Sequence, residues 1–245
     1  VFAGGGAMAR STLTVSSTGV LDLTHTSDIL VGDRTAVHAT EATVSDVTIN
    51  LDGGTLILGK PIARQNVAAT TNAGSSATVQ FYFNGGTLQA GANLAQVFSN
   101  FGTTNSDNDG VFVKAGGAVV DCNGFNVGIT NSLLDASGGS GGGLTKYGGG
   151  TLTLFGTNTY VGDTTVNTTN GLSGTGLLKL GASEVIPHGA GKGRLSFDGF
   201  RRGILDLNGK TETVNTLAEL GGLCLSNSAA LPGVLRAGYD DGDLT

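Results

Sequence analysis

The chain has 245 residues, of which 43 are Gly and only 3 are Pro, with 19 acidic against 13 basic side chains and a formal charge of −6. Glycine at that density disfavours helices, where each interior Gly costs about 1 kcal/mol relative to Ala, and suits a turn-rich β architecture. An acidic balance with no basic cluster beyond Arg201-Arg202 argues against a nucleic-acid partner, and no apolar run approaches the roughly 18 residues of a membrane-spanning helix.

One strand phrase recurs along the chain: Gly, any residue, an aliphatic residue, then continued alternation. It reads GVLDL from Gly19, GTLIL from Gly54, GTLQA from Gly86, GAVVD from Gly117 and GTLTL from Gly150. Later copies are GLLKL from Gly176, GRLSF from Gly193, GILDL from Gly203 and GVLRA from Gly233. A period of 2 predicts strands, with Leu21, Leu56, Leu88, Val119, Leu152, Leu178, Leu195, Leu205 and Leu235 facing inward. The intervals are similar as far as Gly150 and shorten after it. A propeller of fixed blades does not accommodate that looseness, whereas a parallel β-helix absorbs it at its corners.

Between these strands, Asn-Gly pairs at Asn84-Gly85, Asn123-Gly124, Asn170-Gly171 and Asn208-Gly209 predict turns, because both residues accept left-handed φ. Stacked solenoid corners account for them. Read as hairpin turns they would indicate an antiparallel β-sandwich or meander, the alternative fold. Ala92 to Phe101 has the spacing of a short amphipathic helix through Leu94, Val97, Phe98 and Phe101, and Thr103 to Gly110 is a polar excursion. The Gly-Ser run from Ser137 to Gly143 is a long turn within one architecture, since strand pattern resumes at Leu144. Residues 1–245 therefore read as one continuous β-solenoid segment, all-β, expected to continue past Thr245 in a longer chain.

Candidate sites are sparse. Cys122 and Cys224 each sit in an apolar strand pattern and are expected to be buried and free; no metal-ligand spacing of Cys or His occurs. His25, His38 and His188 are scattered without a nucleophile beside them. Two acidic turns, Asp107-Asn108-Asp109-Gly110 and Asp240-Asp241-Gly242-Asp243, offer oxygen ligands that could hold calcium, with Asp107, Asp109, Asp240, Asp241 and Asp243 as the candidates. Neither has EF-hand or β-roll spacing, so solvated turns are the simpler reading. The glycines around Lys192 lack the Walker spacing of a phosphate cradle. His188-Gly189 and Asp240-Asp241 superficially match pieces of pectin-hydrolase motifs, in the wrong order and without the accompanying Asn-x-Asp phrase. A carbohydrate-active β-helix, hydrolase or lyase, is one alternative function, and a calcium-dependent binding module is another.

The text GGLTKYGGGTLTLFGTNTYVGDTTV from Gly142 closely resembles the autotransporter-associated β-strand repeat of autotransporter passengers and very large bacterial surface proteins. Its distinctive parts are Leu144-Thr145-Lys146, Gly148 to Leu154, Asn158-Thr159-Tyr160, Gly162 and Thr164-Thr165-Val166. Ile186-Pro187-His188-Gly189 resembles the family's Ile-Pro-Asp-Gly phrase with His in place of Asp. Gly203 to Gly209 resembles its Leu-Asp-Leu-Asn-Gly strand. The resemblance covers residues 80–245, and residues 1–79 share only the pentad and the composition. It implies a right-handed parallel β-helix displayed outside a bacterial cell, with no catalytic residues to carry over. The resulting expectation is a non-enzymatic structural or adhesive segment of a secreted, extracellular, cell-surface or filament-forming protein. Its partners would be other cell surfaces, polysaccharide or sister chains joined end to end or laterally.

Overall fold

The computed structural model describes residues 8–32, 44–64, 76–101, 109–167, 176–197, 203–218 and 223–238. Among them there is no helix, and the chain winds as a parallel β-solenoid. The first coil holds β1 (Met8–Ser16), β2 (Val20–Leu23) and β3 (Ile29–Val31). The second holds β4 (Val44–Asp52), β5 (Thr55–Leu58) and β6 (Ile62–Arg64), and the third β7 (Ser76–Phe83), β8 (Thr87–Ala90) and β9 (Phe98–Ser99). The fourth contains β10 (Gly110–Val113), β11 (Ala118–Asp121) and β12 (Asn126–Ile129), and the fifth β13 (Leu133–Asp135), β14 (Leu144–Tyr147) and β15 (Gly150–Leu154). Then follow β16 (Thr164–Val166) and β17 (Gly176–Leu180), β18 (Leu195–Phe197) and β19 (Gly203–Asp206), and β20 (Thr211–Val214), β21 (Leu217–Ala218) and β22 (Leu223–Ser226), before β23 (Val234–Ala237).

Every strand ladder is parallel. The first side stacks β1-β4-β7-β10-β13, and the second stacks β2-β5-β8-β11-β14-β16-β18-β21 without interruption. The third side begins as β3-β6-β9 and continues as β12-β15-β17-β19-β22, joined through the parallel bridge Leu94↔Val127. The antiparallel alternative is thereby overturned: the described Asn-Gly pairs, Asn84-Gly85, Asn123-Gly124 and Asn208-Gly209, turn corners between sides and do not close hairpins.

Alternation decides which atoms fill the interior. On the second side Leu21, Leu56, Leu88, Val120, Lys146, Val166 and Phe197 stand in one register column. Val127, Leu152, Leu178 and Leu205 form the buried column of the third side, and Leu225 continues its register but is exposed. Leu56, Leu88 and Leu152 share one buried core, as the sequence predicts, while Thr151 and Thr153 face outward. Each buried aliphatic side chain contributes about 1.5–3 kcal/mol, repeated along the axis.

Three expectations are corrected. Val119 faces outward and Val120 inward, because Thr87 pairs with Val119, one residue off the glycine alignment. A one-residue slip exchanges the two faces of a strand, and the run Ala118-Val119-Val120 has no alternation to oppose it. Ala92 to Phe101 forms no helix; Leu94, Val97, Phe98 and Phe101 are all buried, but by an irregular third-side segment bonded to β12 through Leu94 and Val97. Leu21 and Leu235 face inward as expected and pack against the core, though half-buried. Cys224 is exposed, since it follows Ile204 in the outward row of the third side, although both cysteines are free as expected.

The coil corner between the first and second sides is glycine for a steric reason. A Cβ on Gly143 would run into the carbonyl of Asp163, and one on Gly193 into the backbone of Gly162. Successive coils therefore approach there more closely than any side chain permits.

Candidate functional site

The most unusual chemistry is inside the rod. Beyond β13 the first side has no strand for two coils; single backbone bonds remain, from Thr159 N–H to the Leu133 carbonyl and from Glu184 N–H to the Thr211 carbonyl, and polar side chains supply much of the rest. Leu133 N–H donates to Asn158 Oδ1 at 2.7 Å, and Asn158 Nδ2 donates to the Val185 carbonyl at 2.7 Å. Val185 and Ile186 N–H donate in turn to the two carboxylate oxygens of Glu212, at 3.0 and 2.8 Å. These residues lie 25 and 27 residues apart along the chain, one coil each. Asn215 adds a second clamp, accepting from Gly189 N–H at 2.7 Å and donating to the Gly189 and Lys192 carbonyls.

Glu212 is fully buried, and burial pushes its pKa up to about 8, against the opposing pull of the two N–H donors. Glu184 beside it accepts from Thr213 N–H at 2.9 Å and stands 3.7 Å from His188 Nδ1. A raised carboxyl next to a second carboxylate is the pattern of an acid–base pair. Here both Glu212 oxygens hold backbone and Glu212 itself is fully buried, so this carboxyl fastens the chain. Tyr160, also fully buried, bonds Thr164 Oγ1 at 2.7 Å, and burial raises its phenol.

Lys146 is the other internal charge. It stands between Val120 and Val166 with no exposure, donating to the carbonyls of Tyr147 and Gly148, and burial lowers its pKa. Cys122 lies buried nearby, its thiol pushed up to about 11 by burial, which leaves it a poor nucleophile. Both Lys146 and Glu212 were legible in principle: Lys146 is in phase with Leu144, and Glu212 is in phase with Val214. A charge at an inward position of an alternating strand was the available signal.

On the outside, a shallow groove of about 470 Å³ crosses four coils at the corner between the first and second sides. Its floor is the glycine column, and Val119, Thr145 and Thr165 form one wall. Those residues belong to an outward row that pairs Thr55, Thr87, Val119, Thr145, Thr165 and Ser196 across six strands.

Of the calcium candidates, Asp109 is buried, 3.1 Å from Arg64 Nε, and accepts from Val79 N–H at 2.6 Å, so its carboxylate is engaged within the fold. Asp107, Asp240, Asp241 and Asp243 lie outside the described residues, as do His38, Arg201, Arg202 and the pair Asn170-Gly171. Among the described residues no three His, Cys, Asp or Glu side chains gather as a metal site, and no helix is long and apolar enough to cross a membrane. His25 is exposed beside Thr24 Oγ1, and Lys192 reaches the Thr159 carbonyl at 2.6 Å, not a glycine cradle.

Fold and side chains together define an all-β parallel solenoid stitched by internal polar rungs. No family model, curated protein or solved structure matches the chain.

Proposed function

We propose that the chain is a structural and adhesive segment of a secreted bacterial protein, displayed on the cell surface or assembled into filaments, and that it acts by shape and contact, without catalysis. The observation that carries this reading is where the charged and amide side chains go. Asn158, Glu212, Asn215, Lys146 and Asp121 bind the rod's own backbone or its own side chains, so the polar chemistry serves persistence of the coil stack. The outward hydroxyl row and its groove provide a repeated contact surface for polysaccharide, other cells or sister chains. The resemblance of Leu144 to Val166 to the autotransporter-associated repeat supports export and a position outside a bacterial cell.

Protease shaving and antibody labelling of intact producing cells test the proposal. Labelling without permeabilisation, together with loss of cell–cell or cell–surface attachment on deletion, is the expected result. A protein confined to the cytoplasmic fraction, or a purified chain that depolymerises polysaccharide, would overturn it.

A further inference from the structure

Three described corners are built on Asn-Gly, the sequence most prone to spontaneous deamidation. In that reaction the glycine nitrogen loses its proton and attacks the asparagine Cγ, the Cγ–Nδ2 bond breaks and ammonia leaves. The resulting succinimide is opened by water to Asp or to isoaspartate, which carries an extra methylene in the main chain. Two groups must be free for this: the glycine N–H and the asparagine amide.

The coil stack holds both. Gly85 N–H donates to the Gly117 carbonyl at 2.8 Å and Gly124 N–H to the Gly149 carbonyl at 3.0 Å, each in the following coil. Gly209 N–H donates to Asn227 Oδ1 at 2.6 Å. The amides are anchored as well: Asn84 Oδ1 accepts from Gly116 N–H at 3.0 Å, while Asn123 and Asn208 Nδ2 reach back to the carbonyls of Ala90 at 3.2 Å and Leu180 at 2.9 Å. Asn123 and Asn208 are further fixed in the left-handed region, at φ 48° and 47°. Asn123-Gly124 and Asn208-Gly209 are thus gripped between the coil before and the coil after.

We infer that Asn84, Asn123 and Asn208 are latent modification sites, kept unreactive by coil stacking and converted when their own corner opens. The inference concerns the fold alone and does not depend on where the protein works. The three differ in their guard. Gly85 and Gly124 are held by backbone carbonyls, whereas Gly209 is held by the side chain of the exposed residue Asn227. Asn208 is therefore the first to convert, and isoaspartate there would lengthen the main chain at the junction of β19 and β20 and shift their register.

Peptide mapping by mass spectrometry, after incubation at mildly alkaline pH, tests this on the folded chain and on the same chain in urea. All three sites are expected to convert at least about tenfold more slowly in the folded protein, in proportion to the rarity of local opening. Asn227→Ala should accelerate Asn208 several-fold and leave Asn123 unchanged. If Asn123 accelerates too, that variant has lost its fold, and the folded-against-urea comparison decides. Conversion of Asn123 in the folded chain at its unfolded rate would overturn the inference, as would an Asn208 rate indifferent to Asn227→Ala in a folded variant.

Discussion

The first side of the solenoid is made in two ways. From β1 to β13 it is a backbone ladder, with β1 and β4 paired over nine residues from Met8↔Val44 to Ser16↔Asp52. In the next two coils the same side is carried by Asn158, Glu184, Glu212 and Asn215, until β20 and β23 restore a strand pair. A backbone ladder distributes its bonds over many residues, so no single side chain is indispensable. A side-chain rung concentrates two bonds in one carboxylate or amide, and removing it strands backbone groups in the interior. One rod thus contains a stretch tolerant of polar substitution and a stretch that is not.

The comparison is broken most directly at Glu212. Glu212→Ala strands the N–H groups of Val185 and Ile186, and at about 1–3 kcal/mol per buried orphan the expected loss is about 4 kcal/mol in denaturant unfolding. Glu212→Gln keeps an acceptor and should lose about half of that or less. Asn158→Ala removes the partners of the Leu133 N–H and the Val185 carbonyl and should cost about 3 kcal/mol by the same measurement.

A second effect sharpens the contrast through pH. Burial raises Glu212 from its ordinary 4.5 to about 8, so on raising the pH the unfolded chain releases this proton before the folded one does. Its contribution to stability is full below pH 4.5, declines as pH rises through that interval and levels off above about 8. Unfolding midpoints across that window should slope downward in the native chain and flatten in Glu212→Gln. Asp135 has the opposite sign, because the Ser137 hydroxyl and N–H hold its carboxyl below the ordinary range, and its contribution is lost only as the medium becomes acid. The smallest effect is expected on the outward face of the backbone-laddered stretch: Arg10→Ala removes one exposed ion pair to Asp46 and should cost less than about 1 kcal/mol.

How much of this the sequence contains varies by position. Thr151-Leu152-Thr153-Leu154 alternates cleanly, and its strand, face and register follow from period 2. Ala118-Val119-Val120 does not alternate, so its parity was settled by pairing with β8, which local text cannot express. Only the first of the shortened glycine intervals, Gly150 to Gly176, is a coil length. Gly19, Gly54, Gly86 and Gly117 stand at the start of second-side strands, Gly150, Gly176 and Gly203 begin third-side strands, and Gly193 returns to the second side. With Gly233 leading into β23 on the first side, one phrase serves all three sides of the rod, and the switch leaves no mark on the phrase itself. Leu94, Val97, Phe98 and Phe101 satisfy helical spacing because an irregular turn of the solenoid also directs several near neighbours inward. Asn158 was hidden for a different reason: it reads as a loop residue until its partners Leu133 and Val185, one coil away on either side, are known, whereas Glu212 is marked by its inward phase with Val214.

Native-state hydrogen exchange at Val185 and Ile186 tests the central claim most directly. Neither residue lies in a strand, yet the account predicts that their amides exchange as slowly as those of β17, and that Glu212→Ala abolishes this protection while leaving Leu56 and Leu58 unchanged. Amides at Val185 and Ile186 that exchange like exposed loop in the unsubstituted chain would contradict a first side held by side chains.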